Sequence, residues 1–324
     1  MHRNLRATVL LFGLIACQSA PLEEARASQN PGAAYSNEFW ALWSDGKAEL
    51  AGYSIETSRY GEKRVGQAVA IFVTETLAHQ SRVKTNRPQD GSHYPVMKLN
   101  LSKDFQTGIY DYNTMLSAFV ALTPNDHLPV GHISKVSFSS QEWCGHVYHQ
   151  LLFDRGEIQE TSHSYFQDEA DQNRTFKSPP RLMSEDAILL WARGMSGPRL
   201  KPGEQAIVPM INSLYRARLD HVKLQTTRAT LARHPEKESI TTPAGTFSVN
   251  RYAVNIEGGQ RWVILVEDAF PHRVITWENS SGERAELQGV IRETYWSKQK
   301  NKDTALLHKL GLTPITKPKT VQNQ

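Results

Sequence analysis

From Phe39 to Trp296 the chain is a succession of short runs in which apolar and polar residues alternate, and this constrains the fold most. "KAELAGYSI" (Lys47–Ile55), "QAVAIFVTET" (Gln67–Thr76) and "PVMKLNLS" (Pro95–Ser102) are rich in β-branched or aromatic residues. "HISKVSFSS", "HVYHQLLFD" and "EIQETSHSYF" follow in the same style. A period of two sends successive side chains to opposite faces of a strand. Turn formers separate the runs: "RYGEKRVG", "RPQDGSHYP", "TPNDHLPVG" and "FDRGE", the last reading as a hairpin. Past residue 220 the pattern resumes, with Tyr252, Val254 and Ile256 on one face and Trp262, Ile264 and Val266 on another. "EGGQ" and "NSSGE" read as hairpin turns there. Short strands at this spacing favour an antiparallel arrangement over βαβ units. The predicted class is mainly β: antiparallel sheets forming a curved half-barrel or a sandwich, in two β-rich halves with a few short helices.

Two helices stand out. "NEFWALWSDG" places Phe39, Leu42 and Trp43 at helical spacing, with Asn37 as cap and Gly46 as stop. "SEDAILLWARG" has Ser184 as cap, acids in its first turn and Gly194 at its end, and reads as the joint between the halves. The expected division is a leader over residues 1–17, a tether over 18–36, β-rich units over 37–180 and 181–300, and a basic tail over 301–324. After Trp296 the tail contains Pro and at most one short helix, and is expected to be mobile or to lie across the body.

The N-terminus, MHRNLRATVLLFGLIAC, has Arg3 and Arg6 before an apolar stretch from Ala7 to Ala16, too short to span a bilayer but right for a secretory signal. Leu14-Ile15-Ala16-Cys17 matches the lipobox of bacterial lipoproteins, in which the cysteine thiol receives a diacylglycerol. Cys17 is therefore the expected lipid attachment site and the membrane the first expected partner. Gln18 stands where an inner-membrane retention signal would place Asp, so the expected location is the outer membrane, facing the periplasm. The next residues, small, polar and Pro/Gly-containing, read as a flexible tether. A formal charge of +4, lowered to about +2 without Arg3 and Arg6, and the lack of a basic run before the tail argue against nucleic acid. Hydrophobic content of 39% and seven tryptophans suffice for a sizeable core.

With Cys17 acylated, Cys144 has no intrachain disulfide partner. It lies in "SQEWCGHVYHQLLF", and if this is one continuous strand, Cys144 and His146 share a face with Glu142. A thiolate nucleophile activated by His146 and oriented by Glu142 is one reading. A buried structural thiol backed by Trp143 is the other. The loop "HSYFQDEADQ" offers His163, Asp168, Glu169 and Asp171 as donors for a hard cation such as calcium, against the plainer reading of solvated acids. If the preceding strands form a hairpin, these groups return toward His146. "DFQTGIYDYN" places Gly108 at a turn between tyrosines that suit cross-strand packing better than a ligand rim. No nucleophile elbow, zincin helix or phosphate-binding loop is present, and no cofactor is called for.

The segments "FWALWSDGKAEL", "SRYGEKRVGQAVAIFVTE", "VMKLNLSKDFQTGIYDYN", "QEWCGHVYHQLL" and "SYFQDEADQ" occur in an order that resembles a family of bacterial lipoproteins carrying the name "septum formation inhibitor Maf". That resemblance implies no activity. The S-x-S-x-x-R segment of the true Maf nucleotide pyrophosphatases is missing, so their chemistry is not expected. "TTPAGTFSVNRYAVNI" and "RWVILVEDAFPHRVITWENSSGERAELQGV" are similar to β-rich periplasmic domains, distantly like lipoprotein-carrier half-barrels, which implies fold rather than function.

The leading expectation is a non-enzymatic, lipid-anchored envelope protein that binds an apolar or amphipathic ligand, or an envelope partner. An apolar ligand calls for a groove lined by Val, Ile, Leu and Trp. The alternatives are a hydrolase or transferase using Cys144 and His146, and a structural protein of envelope assembly that makes contact through its tail.

Overall fold

The computed structural model describes residues 35–85, 91–125 and 128–314; Cys17 and the lipobox lie outside them. It opens with α1 (Asn37–Trp43), capped by Ser36, whose side chain accepts from Phe39 N at 3.1 Å. The cap is one residue earlier than Asn37, because Asn37 already has helical backbone. Eight strands follow as a meander: β1 (Ala48–Arg59), β2 (Glu62–Ala78), β3 (His93–Thr107), β4 (Tyr110–Ala121), β5 (Ile133–Glu142), β6 (Gly145–Phe153), β7 (Glu157–Ser164) and β8 (Gln172–Lys177). The chain then makes the short β9 (Met183–Ser184), a turn of 3-10 helix over Glu185–Ala187 and α2 (Ile188–Ala192). A second run comprises β10 (Gln205–Ile211), β11 (Thr226–Thr242), β12 (Gly245–Ile256), β13 (Arg261–Glu267), β14 (Val274–Asn279) and β15 (Arg284–Glu293). Helix α3 (Leu214–Leu219) bridges β10 to β11, and α4 (Ala305–Lys309) lies near the end.

All fifteen strands belong to one sheet, in the order β8-β7-β6-β5-β4-β3-β2-β1-β15-β14-β13-β12-β11-β10-β9. Every pairing is antiparallel except that of β9 with β10. The halves join where β1 pairs with β15, from Ala48 opposite Glu293 to Glu56 opposite Arg284. The sheet is thus continuous through both. It is open, with β8 and β9 as its edges. The period of two is visible as burial: in β3 the odd residues from Met97 to Phe105 are buried, and in β6 Val147, Leu151 and Phe153 point inward.

The sheet curls around the central helix. Ile188 to Ala192, "ILLWA", is apolar on every side, and such a helix is stable only when enclosed. The Glu185–Ala187 turn contacts β4 while α2 contacts β13, six strands further along the sheet. On a flat sheet that separation would be about 29 Å. A helix about 10 Å wide touches both only if the sheet wraps it. At the far end of α2, Arg193 pairs with Glu49 (Nη1–Oε1 2.7 Å), donates to Pro271 O at 3.0 Å and lies 4.1 Å over the Phe72 ring.

Part of the outer face is covered by the C-terminal segment. The segment after α4 crosses the joint between the halves, where Gly52 stands opposite Gly289. A Cβ at Gly52 would lie 2.1 Å from Leu310 O, and one at Gly289 would lie 2.2 Å from Lys309 O. Two facing glycines let this segment approach, and Leu310 and Leu312 cover Ala48, Leu50 and Val73. The first part of the expected tail therefore lies against the body, and residues 315–324 are outside the described region.

Candidate functional site

The polar stretch around Cys144 is a hairpin tip rather than one strand. Glu142 ends β5 opposite Gly145, which begins β6, leaving Trp143 and Cys144 as a two-residue turn. Gly145 is required there, because a Cβ would meet the Tyr165 ring at 2.5 Å. The turn undoes the shared face of Cys144, His146 and Glu142. Cys144, His146 and Trp143 are exposed, which removes the buried-thiol reading. Glu142 faces the interior and forms a close ion pair with Arg218, whose guanidinium also lies 4.1 Å over Phe166. Among the described residues no hydrogen bond joins Cys144 to His146 or Glu142. The register from Gly145 onward does hold, with His149 inward at 2.9 Å from Glu160.

The loop acids do come back beside this hairpin: Tyr148 pairs with His163, and Tyr165 N donates to His146 O at 3.1 Å. They divide into pairs. His163 Nδ1 lies 2.8 Å from Asp171 Oδ1, Glu169 is 2.5 Å from His221 Nδ1 and Asp168 sits in the adjoining 3-10 turn. Among the described residues no three His, Cys, Asp or Glu side chains are grouped to hold a metal ion. Gly108 forms the β3–β4 turn, and Phe105 stacks on Tyr112 across it with centroids 5.0 Å apart.

An internal cleft lies between the curled sheet and the 3-10/α2 turn. Its cavity volume is about 50 Å³, so an alkyl chain would enter only as the cleft widens. Its walls are Leu99 and Leu101 of β3, Leu116 of β4, Ile188 and Leu189 of α2, Trp262 of β13 and Trp277 of β14. Asn279, Ser281 and Arg216 stand at the mouth, on the β14–β15 turn and on α3. Leu, Ile and Trp thus share its lining with polar and charged side chains, several of them buried.

Those polar groups form a connected set. Lys103 Nζ donates to both Glu283 oxygens at 2.7 Å and lies 4.2 Å over the Tyr215 ring. Trp277 Nε1 donates to Glu283 Oε1 at 2.8 Å. Glu185 accepts from Trp262 Nε1 at 2.8 Å and from Ser213 N at 3.0 Å. Asp186 accepts from Ser213 Oγ and, at 2.9 Å, from Leu214 N, bracing the start of α3. Burial pushes the Asp186 carboxyl up to about 7, against the lowering effect of Ser213 and Leu214. Burial also raises Glu185, against the Trp262 and Ser213 hydrogen bonds. Both acids are therefore poised toward the neutral, hydrogen-bonded form.

Sequence reasoning placed Glu185 and Asp186 only as first-turn acids behind the Ser184 cap, and that cap is present, with Asp186 N 3.2 Å from Ser184 Oγ. Their burial had a signal: acids abutting a helix apolar all round must enter the interior with it. Lys103, Glu283, Trp262 and Trp277 gave none, since three of them sit in ordinary alternating strands and Glu283 in a turn.

No family model matches the chain, and no curated protein matches it. Among solved structures, the chain is similar to a β-barrel-like protein of the domain of unknown function DUF1849 from Brucella abortus. That match has 9% identity over 76% of this chain and 97% of that one, with a TM-score of 0.45. A Bacteroides fragilis protein described as exported, with a YmcC-like fold, aligns at 10% identity over 75% of this chain and 95% of that one, with a TM-score of 0.21.

Proposed function

We infer that the protein is a binding protein for a slender amphipathic molecule, held with its apolar chain in the cleft and its polar head at the mouth. The observation that carries this reading is the cleft itself. Leu99, Leu101, Leu116, Ile188, Leu189, Trp262 and Trp277 line one cleft, with the buried Lys103, Glu185, Asp186 and Glu283 beside them and Asn279, Ser281 and Arg216 at its mouth. Pockets for small molecules share this makeup, apolar walls with a few placed polar groups. The leader, lipobox and tether of the sequence support a Cys17-anchored protein at the outer membrane, facing the periplasm, and the likeness of its segments to a lipoprotein family points the same way.

A fluorescent fatty-acid probe tests the reading. Titrated into the protein, it is expected to bind with a blue-shifted emission and to take energy from Trp262 and Trp277. Leu116→Trp, which fills the passage, is expected to abolish binding while leaving the circular dichroism of the sheet intact. Unchanged binding in Leu116→Trp overturns the assignment of the cleft.

A further inference from the structure

Successive hairpins of a meander turn at alternate ends, so the β1–β2, β3–β4, β5–β6 and β7–β8 turns all lie at one rim. Each carries a large apolar side chain out into solvent: Tyr60 is 57% exposed, Ile109 79%, Trp143 71% and Tyr165 70%. These form a continuous band. The Tyr60 hydroxyl is hydrogen-bonded to Tyr110, and buried Tyr112 braces both from beneath, 2.7 Å from Tyr60 Oη and with its ring 5.9 Å from Tyr110. Tyr110 in turn lies 6.3 Å from Trp143, and Tyr165 packs over Gly145 beside it. Six strand spacings separate the first tip from the last, making the band about 29 Å long. Isolated exposed apolar residues need no explanation, but a contiguous row at protruding tips marks a contact surface.

We propose that this rim is a lipid-contacting edge, which dips its aromatic tips into the surface of a bilayer. The side chains are those suited to the membrane–water boundary, where tryptophan and tyrosine put a ring in the apolar layer and keep a polar tip wet. The band is a row of narrow turns, a shape that enters a lipid surface shallowly and offers little flat area to a protein partner. The mouth of the cleft opens at this same rim, because the β14–β15 turn lies beside the end of β1, where Glu56 stands opposite Arg284. An amphipathic ligand leaving the cleft would there meet lipid directly.

The chain outside the structure permits the posture. Tyr35 is held at the opposite end, its hydroxyl donating to Met195 O at 2.8 Å. From Cys17 to Tyr35 an extended chain reaches about 60 Å. The twelve residues of β1 span only about 40 Å. A molecule anchored at Cys17 can therefore tip its far rim onto the same membrane. This clause rests on the anchor proposed above; the rim itself does not depend on the cleft being occupied.

Cys144, at the tip next to Trp143, provides the reporter. In the full chain with Cys17→Ser it is the only thiol and takes an environment-sensitive dye. With vesicles of phosphatidylethanolamine and phosphatidylglycerol, the dye is expected to shift to the blue and to lose its quenching by aqueous iodide. Ile109→Ser with Trp143→Ser should reverse both effects. A dye placed by Arg155→Cys in a Cys144→Ser background, at the β6–β7 turn of the other rim, should stay wet. Leu116→Trp should leave the Cys144 signal unchanged, so failure of the cleft reading is seen separately. A dye that stays in water at saturating vesicle concentration overturns the proposal. So does a shift that needs no vesicles and grows with protein concentration, which would assign the rim to a second copy.

Discussion

At the scale of single residues, the cleft depends on charges held where water does not reach. Asp186 titrates near 7 in the folded chain because burial disfavours its anion, and near 3.8 when exposed. Between those values the folded chain binds the extra proton. Asp186 therefore supports the fold fully below about pH 4, and that support is lost as the pH rises through 7. Asp186→Asn keeps one acceptor oxygen for Leu214 N and offers its amide N–H to Ser213 Oγ, without the charge. Relative to the wild type, it should gain on the order of 2–4 kcal/mol between pH 4 and 8. Urea denaturation at a series of pH values measures this, and parallel curves would refute the burial argument. Lys103 and Glu283 test the other kind of buried charge. Lys103→Met strands Glu283 with only Trp277 as partner and should cost about 3–5 kcal/mol, while adding Glu283→Leu should recover most of the loss. A double-mutant cycle showing plain additivity would mean that the pair is not coupled.

At the scale of elements, alternation and turn chemistry made most of the fold legible. The "FDRGE", "EGGQ" and "NSSGE" turns, the Gly108 hairpin and the Ser184 cap are where local chemistry places them, because each depends on a few neighbouring residues. The Trp143–Cys144 turn was not legible. It lacks the Asn-Gly or Asp-Gly pair that marks tight hairpins, and its one glycine is required by Tyr165, twenty residues on. Contacts of that kind are set by tertiary packing and leave no periodic trace. The facing glycines 52 and 289 are another instance, 237 positions apart and meaningful only because the terminal segment crosses them. Gly289→Ala should push that segment off the sheet, costing about 1–3 kcal/mol. Hydrogen exchange should then show lost protection at the amides of Leu310 and Leu312, which are otherwise bonded to Leu307 O. Unchanged protection would mean that the crossing tolerates the added methyl.

At the scale of the whole molecule, the decisive property is the curl. The strands, taken one by one, allow a sandwich, a barrel or an open sheet. What selects among them is the apolar helix α2, which the sheet must enclose, and the pairing of β1 with β15, which joins the halves into one surface. The same curl brings β3 and β4 against β13 and β14 and so creates the cleft. The candidate site was therefore foreseeable in kind, as a groove of Leu, Ile and Trp, but not in place. No local pattern tells Leu116 that it will face Trp277. The central claim is that this passage holds an amphipathic molecule. The most direct test is to recover the protein from the cells that make it and compare its native intact mass with its denatured mass. A native excess equal to one amphipathic lipid, absent from Leu116→Trp, is the expected result. Equal native and denatured masses, or an excess that survives Leu116→Trp, would contradict it.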